Sequence, residues 1–179
     1  DFDPASFAFD ISLDRHRIVG LYTGGTLCAE AQTLLVAAGE PVRSNAPILG
    51  AQSIVDSDDI DDHEIIDMGA DEYTLGRPHP MIEPAVRSDA LTDAFADPAV
   101  AVILLDVVIG YGAHEDPAGE IARAIDGAKK GAAIVASVCG TDADPQAYTD
   151  QVKILRRAGV VVAPSNAHAA ELALAIIKR

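Results

Sequence analysis

Gly20-Leu-Tyr-Thr-Gly-Gly-Thr-Leu-Cys-Ala-Glu-Ala-Gln-Thr-Leu-Leu35 is the stretch on which the fold turns. The apolar run from Ile18 to Tyr22 reads as a short strand, Gly24-Gly25 breaks it, and an Ala/Leu-rich pattern resumes as a helix over about 26–38. Two adjacent glycines let the backbone come close to a ligand. The first free N–H groups of the helix, at the positive end of its dipole, then point at any anion above the turn, and Thr26 adds a hydroxyl. A plain strand-to-helix turn, with glycines that serve chain geometry alone, accounts for the same residues. The other loops have to decide between the two.

Downstream, Gly39-Glu-Pro41 stops the helix and an irregular segment runs to His63. Inside it, Asp56-Ser-Asp-Asp-Ile-Asp-Asp62 has no calcium-loop spacing and reads as a solvated acidic loop. Glu64–Met68 is a second short strand. The loop after it contains Gly76-Arg-Pro-His-Pro80, where two prolines stiffen the segment and present Arg77 and His79 in a fixed way. Such a loop suits an anionic ligand; the alternative is a structural loop whose Arg77 answers nearby acidic residues.

A helix over about 84–96 leads to Val100-Ala-Val-Ile-Leu-Leu-Asp-Val-Val-Ile109, a continuous apolar run of the kind found in strands buried on both faces. Asp106 within it must either end the strand at a ligand edge or cap a loop N–H, because a buried carboxylate is costly without partners. Gly110-Tyr-Gly112 makes a second glycine turn, and Asp116-Pro117 opens the next helix. The unit repeats with strand 132–138, turn Cys139-Gly-Thr-Asp142, a helix capped by Asp144, strand Val160–Ala163 and a last helix over 167–178. Five strand–helix units give an α/β, doubly wound, five-stranded parallel sheet of flavodoxin-like order 2-1-3-4-5. Ligands bind at the carboxyl ends of such strands. The turns at 24–25 and 110–112 become neighbours there, flanked by the loops at 77–79 and 139–142. The candidate ligand-binding residues are therefore Gly24, Gly25, Thr26, Gly110, Gly112, Gly140 and Thr141, with Arg77 and His79 on the flanking loop.

The composition narrows the partners. A net charge of −15 argues against nucleic acid or an anionic membrane. No apolar run approaches the roughly 20 residues of a membrane span. Cys28 and Cys139 lie far apart, as expected in a reducing compartment, and Cys139 reads as a small buried hydrophobe rather than a nucleophile. Residues 1–15 read as a linker or tail before a domain over 16–179. With Asp at position 1, the chain is expected to be a piece of a longer cytoplasmic protein.

Several motifs carry a family resemblance. Gly25-Thr-Leu-Cys-Ala-Glu-Ala31 and Ala158-Gly-Val-Val-Val resemble the turn-and-helix and closing strand of the succinyl-CoA synthetase α subunit. Asn45-Ala-Pro47, Asp67-Met-Gly69, Gly76-Arg-Pro-His-Pro-Met-Ile82 and Val138-Cys-Gly-Thr-Asp142 resemble the FdrA branch of that superfamily. The resemblance implies a CoA-ligase-type domain, an N-terminal CoA-binding-like portion or partner subunits, a possible homo-oligomer, and no metal. In the synthetases the helix start matching Gly25–Thr26 faces phosphate on a histidine. The corresponding loop here, Cys139–Pro145, has no histidine, and the glutamate that steadies it is absent from Asp106–Ile109. The resemblance therefore implies direct handling of phosphate or an acyl or carbamoyl phosphate, as in oxamate carbamoyl transfer during allantoin breakdown, with Arg77 and His79 as candidate catalytic groups, Arg77 neutralising a carboxylate or phosphate and His79 donating to the oxyanion or shuttling a proton; no cofactor is certain, and CoA, where used, would be bound through the N-terminal portion. CoA ligation of the succinyl type and a non-catalytic regulatory or assembly role are the alternatives. A flavin carrier is disfavoured by the scarcity of aromatic residues.

Overall fold

In Val100–Val107 every residue is buried, and its alternating side chains build two cores, one on each face of a sheet. A computed structural model of the chain describes residues 2–3, 7, 9–56, 61–126 and 131–178. Its elements run β1 (Arg17–Tyr22), α1 (Gly25–Ala37), β2 (Val42–Ser44), β3 (Gln52–Ser53), β4 (His63–Asp67), α2 (Asp71–Thr74), α3 (Ala85–Ala96), β5 (Val100–Val108), α4 (Pro117–Ile125), β6 (Ala133–Cys139), α5 (Tyr148–Arg157), β7 (Val161–Ala163) and α6 (Asn166–Ile177). Val102 and Leu104 pack with Ile18 and Tyr22 of β1 beneath α1 and α6. Ile103, Leu105 and Val107 pack with Leu91, Ile121 and Leu155 beneath α3, α4 and α5.

The sheet is parallel throughout its described pairings and has the order β3-β2-β4-β1-β5-β6-β7. Five adjacent strands, β4-β1-β5-β6-β7, reproduce the expected 2-1-3-4-5 sequence. The expectation of five strands is corrected to seven, because the segment between α1 and β4 supplies β2 and β3. Neither has an apolar run of its own. Val42 is the one apolar residue of β2, and pairing of Val42 with His63 and of Arg43 with Glu64 makes the strand. Pattern reading finds strands that carry their own hydrophobic signal, and short edge strands are made by their neighbours instead.

Two further expectations change. Asp144 does not cap α5, which starts at Tyr148 after Ala147 at φ 55; Asp144 instead accepts from the Thr141 amide at 2.6 Å. The N-terminal stretch, expected as a linker or tail, lays Ile11 into the core and packs Phe2, Phe7 and Phe9 against it. Of the Asp56–Asp62 loop, residues 57–60 lie outside the described residues.

At the amino end of β4, His63 is buried and its Nδ1 accepts the Ile18 amide at 3.2 Å. Its Nε2 lies 3.4 Å from Glu40 Oε2 without a well-directed hydrogen bond. Burial lowers the imidazole pKa, with Arg17 and His16 adding to the effect, and prevails over the opposing pull of Glu40. A group with a depressed cationic pKa is neutral when folded, and the unfolded chain takes up the proton first. Stability is therefore present above the ordinary histidine range and is lost as pH falls below about 6.5. Urea midpoints measured from pH 8 to pH 5.5 should fall, and His63→Gln should flatten part of that fall. Parallel profiles for the two proteins would refute the assignment.

Candidate functional site

The carboxyl ends of β1, β4, β5 and β6 present their loops along one edge of the sheet, and the centre of that edge is the turn between β1 and α1. Asp106 shares a face with Val102 and Leu104, so its carboxylate comes up beneath this turn. It is fully buried and accepts from the Thr23 amide at 2.8 Å, the Gly24 amide at 2.7 Å and the Thr23 hydroxyl at 3.1 Å. Its charge is answered by Arg87 of α3, whose Nη1 lies 3.2 Å from Asp106 Oδ1 and 2.7 Å from its backbone oxygen. Burial lowers the Arg87 pKa and the Asp106 charge opposes that shift, as expected of an enclosed pair. Of the two roles open to Asp106, the structure shows that of loop cap. The Gly24 N–H consequently points inward and is unavailable to a ligand.

The next amides are arranged differently. Helix α1 has no side-chain cap and no acidic residue in its first turn, so no described side chain caps the N–H groups of Gly25, Thr26 and Leu27. Gly25 is glycine for a steric reason: a Cβ there would come 2.8 Å from Asp67 Oδ2. Asp67 ends β4, and Asn45 holds its backbone from both sides, donating to its carbonyl and accepting from its amide at 2.9 Å each. The other Asp67 oxygen, Oδ1, accepts the Gly69 amide at 2.9 Å.

His79 comes to the same place. Its Nδ1 accepts the Met81 amide at 3.1 Å, which puts the proton of the neutral ring on Nε2. Nε2 fits against Gly69 so closely that a Cβ at 69 would lie 2.6 Å from it and 2.9 Å from the Thr23 carbonyl. The 79–81 loop is tied onward by a His114 N–H bond to the Met81 carbonyl at 2.8 Å. Gln146 then clamps the 110–114 loop, accepting from the Gly110 amide and donating to the Gly110 and His114 carbonyls, each at 3.0 Å. Gly110 and Gly112 sit at φ 138 and 87, with Tyr111 fully exposed between them. At Gly140, a Cβ would overlap Ile109 Cγ1 at 2.1 Å.

The structure thus brings together Gly24, Gly25, Thr26 and His79, with the Gly110–Gly112 and Gly140–Thr141 loops adjoining along the edge. It does not bring Arg77, which is exposed and lines a small hollow with Pro78, Glu83, Ala85 and Val86. Thr141 spends its amide and hydroxyl on Asp144. Cys139, expected to be buried, is exposed, whereas burial pushes the Cys28 thiol up to about 12. Sequence reasoning missed the roles of Asn45, Asp67, Arg87 and Gln146. The Asp67-Met-Gly69 strand end carried the signal for one of them. A cavity of about 630 Å³ lies elsewhere, between α3 and the sheet, over Val19, Leu21, Ile66 and Met68.

Among the described residues no helix is long and apolar enough to cross a membrane, and no group of three or more His, Cys, Asp or Glu is placed to hold a metal ion. The chain is 39% identical over 163 residues to a protein of Escherichia coli (strain K12) described as uncharacterized protein YahF, a match covering 87% of this chain and 32% of that protein. It spans about a third of that relative's length. Among solved structures, PH0766 from Pyrococcus horikoshii OT3 shares the fold with a TM-score of 0.54 at 12% identity, covering 92% of this chain and 35% of that one. Residues 21–176 match the family described as CoA-ligase, and the chain belongs to that family.

Proposed function

We propose that this chain is the CoA-ligase domain of an FdrA-like protein that holds phosphate, or the phosphate of an acyl or carbamoyl phosphate, at the first turn of α1. The observation that carries the reading is the uncapped start of α1 at the centre of the loop edge, in a family built around CoA ligation. Backbone amides and a helix dipole stabilise an anion there without a covalent nucleophile. The loop after β6 has no histidine to be phosphorylated. Transfer therefore takes the direct route: the incoming nucleophile attacks the carbonyl carbon, phosphate leaves with the bonding electron pair and takes up the proton that the nucleophile loses, and the α1 amides hold it. His79 Nε2–H donates to the developing oxyanion. Carbamoyl transfer between carbamoyl phosphate and oxamate suits such a site, and CoA, where used, would be held by the portion of the protein that extends beyond this chain in relatives such as YahF.

Calorimetric titration with phosphate, carbamoyl phosphate, CoA and oxamate tests this. Phosphate and carbamoyl phosphate should bind, and His79→Ala should weaken carbamoyl phosphate by about tenfold, the worth of one hydrogen bond to a charged group. Binding of neither phosphate compound would instead favour a regulatory or assembly role for the domain.

A further inference from the structure

Asn45-Ala-Pro-Ile-Leu-Gly-Ala-Gln-Ser-Ile-Val55 carries no charged side chain, in a protein whose net charge is −15. The segment includes β3, the outermost strand at one end of the sheet, and it bears two large apolar side chains that stand in water, Leu49 at 98% exposure and Val55 at 86%. Ala46 and Pro47 are exposed with them. The exposed apolar side chains on other loops have charged neighbours: Leu13 adjoins Asp14, Leu75 lies two positions from Arg77, and Ile82 adjoins Glu83. Single apolar side chains among charges are ordinary on a protein surface, whereas an uncharged run with an exposed aliphatic residue toward each end marks a contact surface.

The segment is also held rigidly. Gln32 of α1, fully buried, accepts from the Ile48 amide at 3.2 Å and donates to the Ala46 carbonyl at 3.1 Å. The Ser44 hydroxyl accepts from the Ala46 amide at 3.1 Å, and the Ala51 amide donates to the Ile48 carbonyl at 3.1 Å. Gly50, at φ 96, lies so close to α1 that a Cβ there would stand 2.8 Å from Val36 Cγ1. Leu49 is thus held out to solvent by a backbone fastened to α1, and a surface ordered in advance loses little entropy when it is covered. Beyond it, β3 pairs with β2 on one side. The Ile54 amide turns inward to the Ser44 carbonyl at 3.0 Å, and because successive residues of a strand point their N–H groups to opposite sides, the Ser53 N–H faces the outer edge.

We infer that the outer edge of β3, with Leu49 and Val55 on either side of it, is an interface at which two copies of this chain associate about a two-fold axis. The charge of the chain selects the occupant. A partner recruited by electrostatic attraction would be basic and would meet acidic side chains, and Asn45–Val55 offers none. Two copies repel one another over most of their surfaces and approach at least cost where charge is absent. The surface is also its own complement: a two-fold axis beside Ser53 sets the two β3 edges antiparallel, so that the Leu49 end of one copy meets the Val55 end of the other. The eleven residues of Asn45–Val55 are fewer than the roughly 20–30 a side of a standard interface, which makes the association weak, with a Kd of about 10–1,000 μM. Nothing in this interface depends on the phosphate site proposed at α1.

Sedimentation equilibrium of the chain over about 10 μM to 1 mM, in about 0.05 M and 0.5 M sodium chloride, tests it. The mass should rise with concentration from monomer toward dimer, and it should do so more readily at the higher salt, where the repulsion between the two acidic copies is screened. Leu49→Asp and Val55→Asp each place like charges across the axis and should weaken association by about tenfold or more. Leu75→Asp, an equally exposed leucine on another loop, should leave it unchanged. All three positions are on the surface, and thermal melts within a few degrees of wild type confirm folded variants. A wild type that stays monomeric throughout the range in both salts overturns the inference and leaves the edge to a different partner. So does association that Leu49→Asp and Val55→Asp do not weaken, that Leu75→Asp weakens as much, or that is tighter at low salt than at high, since each of these puts the contact on another surface or makes it charge-driven.

Discussion

Asp106→Ala is expected to lower the unfolding free energy by about 3–5 kcal/mol, the cost of stranding one member of a buried ion pair. The substitution leaves the Arg87 guanidinium, 3% exposed, with only the Asp106 carbonyl in place of the carboxylate. It also strips the acceptor from the Thr23 and Gly24 amides and the Thr23 hydroxyl. Those groups lie too deep for full recovery by water, so their desolvation adds to the loss. The double variant Asp106→Ala/Arg87→Met removes both charges, and it should recover a substantial part of the loss, because a buried pair replaced by apolar groups is often close to neutral. Urea unfolding of the wild type, the single variant and the double variant measures the coupling. A single variant as stable as wild type would show that the pair is solvated and that the turn is held by something else. The pair matters for function through geometry: it fixes Thr23 and Gly24, and they set the direction in which α1 leaves the sheet.

How much of this could be read beforehand follows from where each signal resides. The inner sheet was legible because β1, β5 and β6 carry continuous apolar runs and glycine turns punctuate them. β2 and β3 were not, since Arg43, Ser44, Gln52 and Ser53 have no strand pattern of their own and pair only because β4 offers an edge. Within the site, Gly24–Thr26 and His79 were legible as turn chemistry and as a proline-stiffened loop. Arg77 was grouped with His79 by its place in sequence, but the two side chains leave Pro78 in different directions, one to solvent and one toward Gly69. Arg87 carries no sequence signal of its own, because its partner Asp106 lies 19 positions further on, in a strand that meets α3 only in the folded chain. Asn45 gave no hint of its role, because a side chain that grips the backbone of a residue 22 positions away is visible only in three dimensions.

Gly25→Val should abolish phosphate binding, reducing affinity by more than about tenfold, while the chain still folds. Gly25 is not among the positive-φ glycines, so valine can adopt its backbone without the left-handed strain that other glycines here would incur. The obstacle is local: a Cβ at 25 comes 2.8 Å from Asp67 Oδ2, and the carboxylate has to move. A β-branched side chain at the first residue of α1 also covers the amides through which an anion would be held. Stability should fall by only about 1–2 kcal/mol, since one exposed turn is repacked and no core is emptied. Gly39→Ala is the matching control. It lies just beyond the other end of α1 at φ 84 with nothing within 4 Å of a Cβ, so it should cost about 1 kcal/mol of stability through backbone strain and leave phosphate affinity unchanged. The two variants therefore separate the stability of the helix from access to its first turn. If both were to bind inorganic phosphate as the wild type does, the anion would have to sit elsewhere on the loop edge, and the glycines at 24 and 25 would be there for chain geometry and for Asp67 alone.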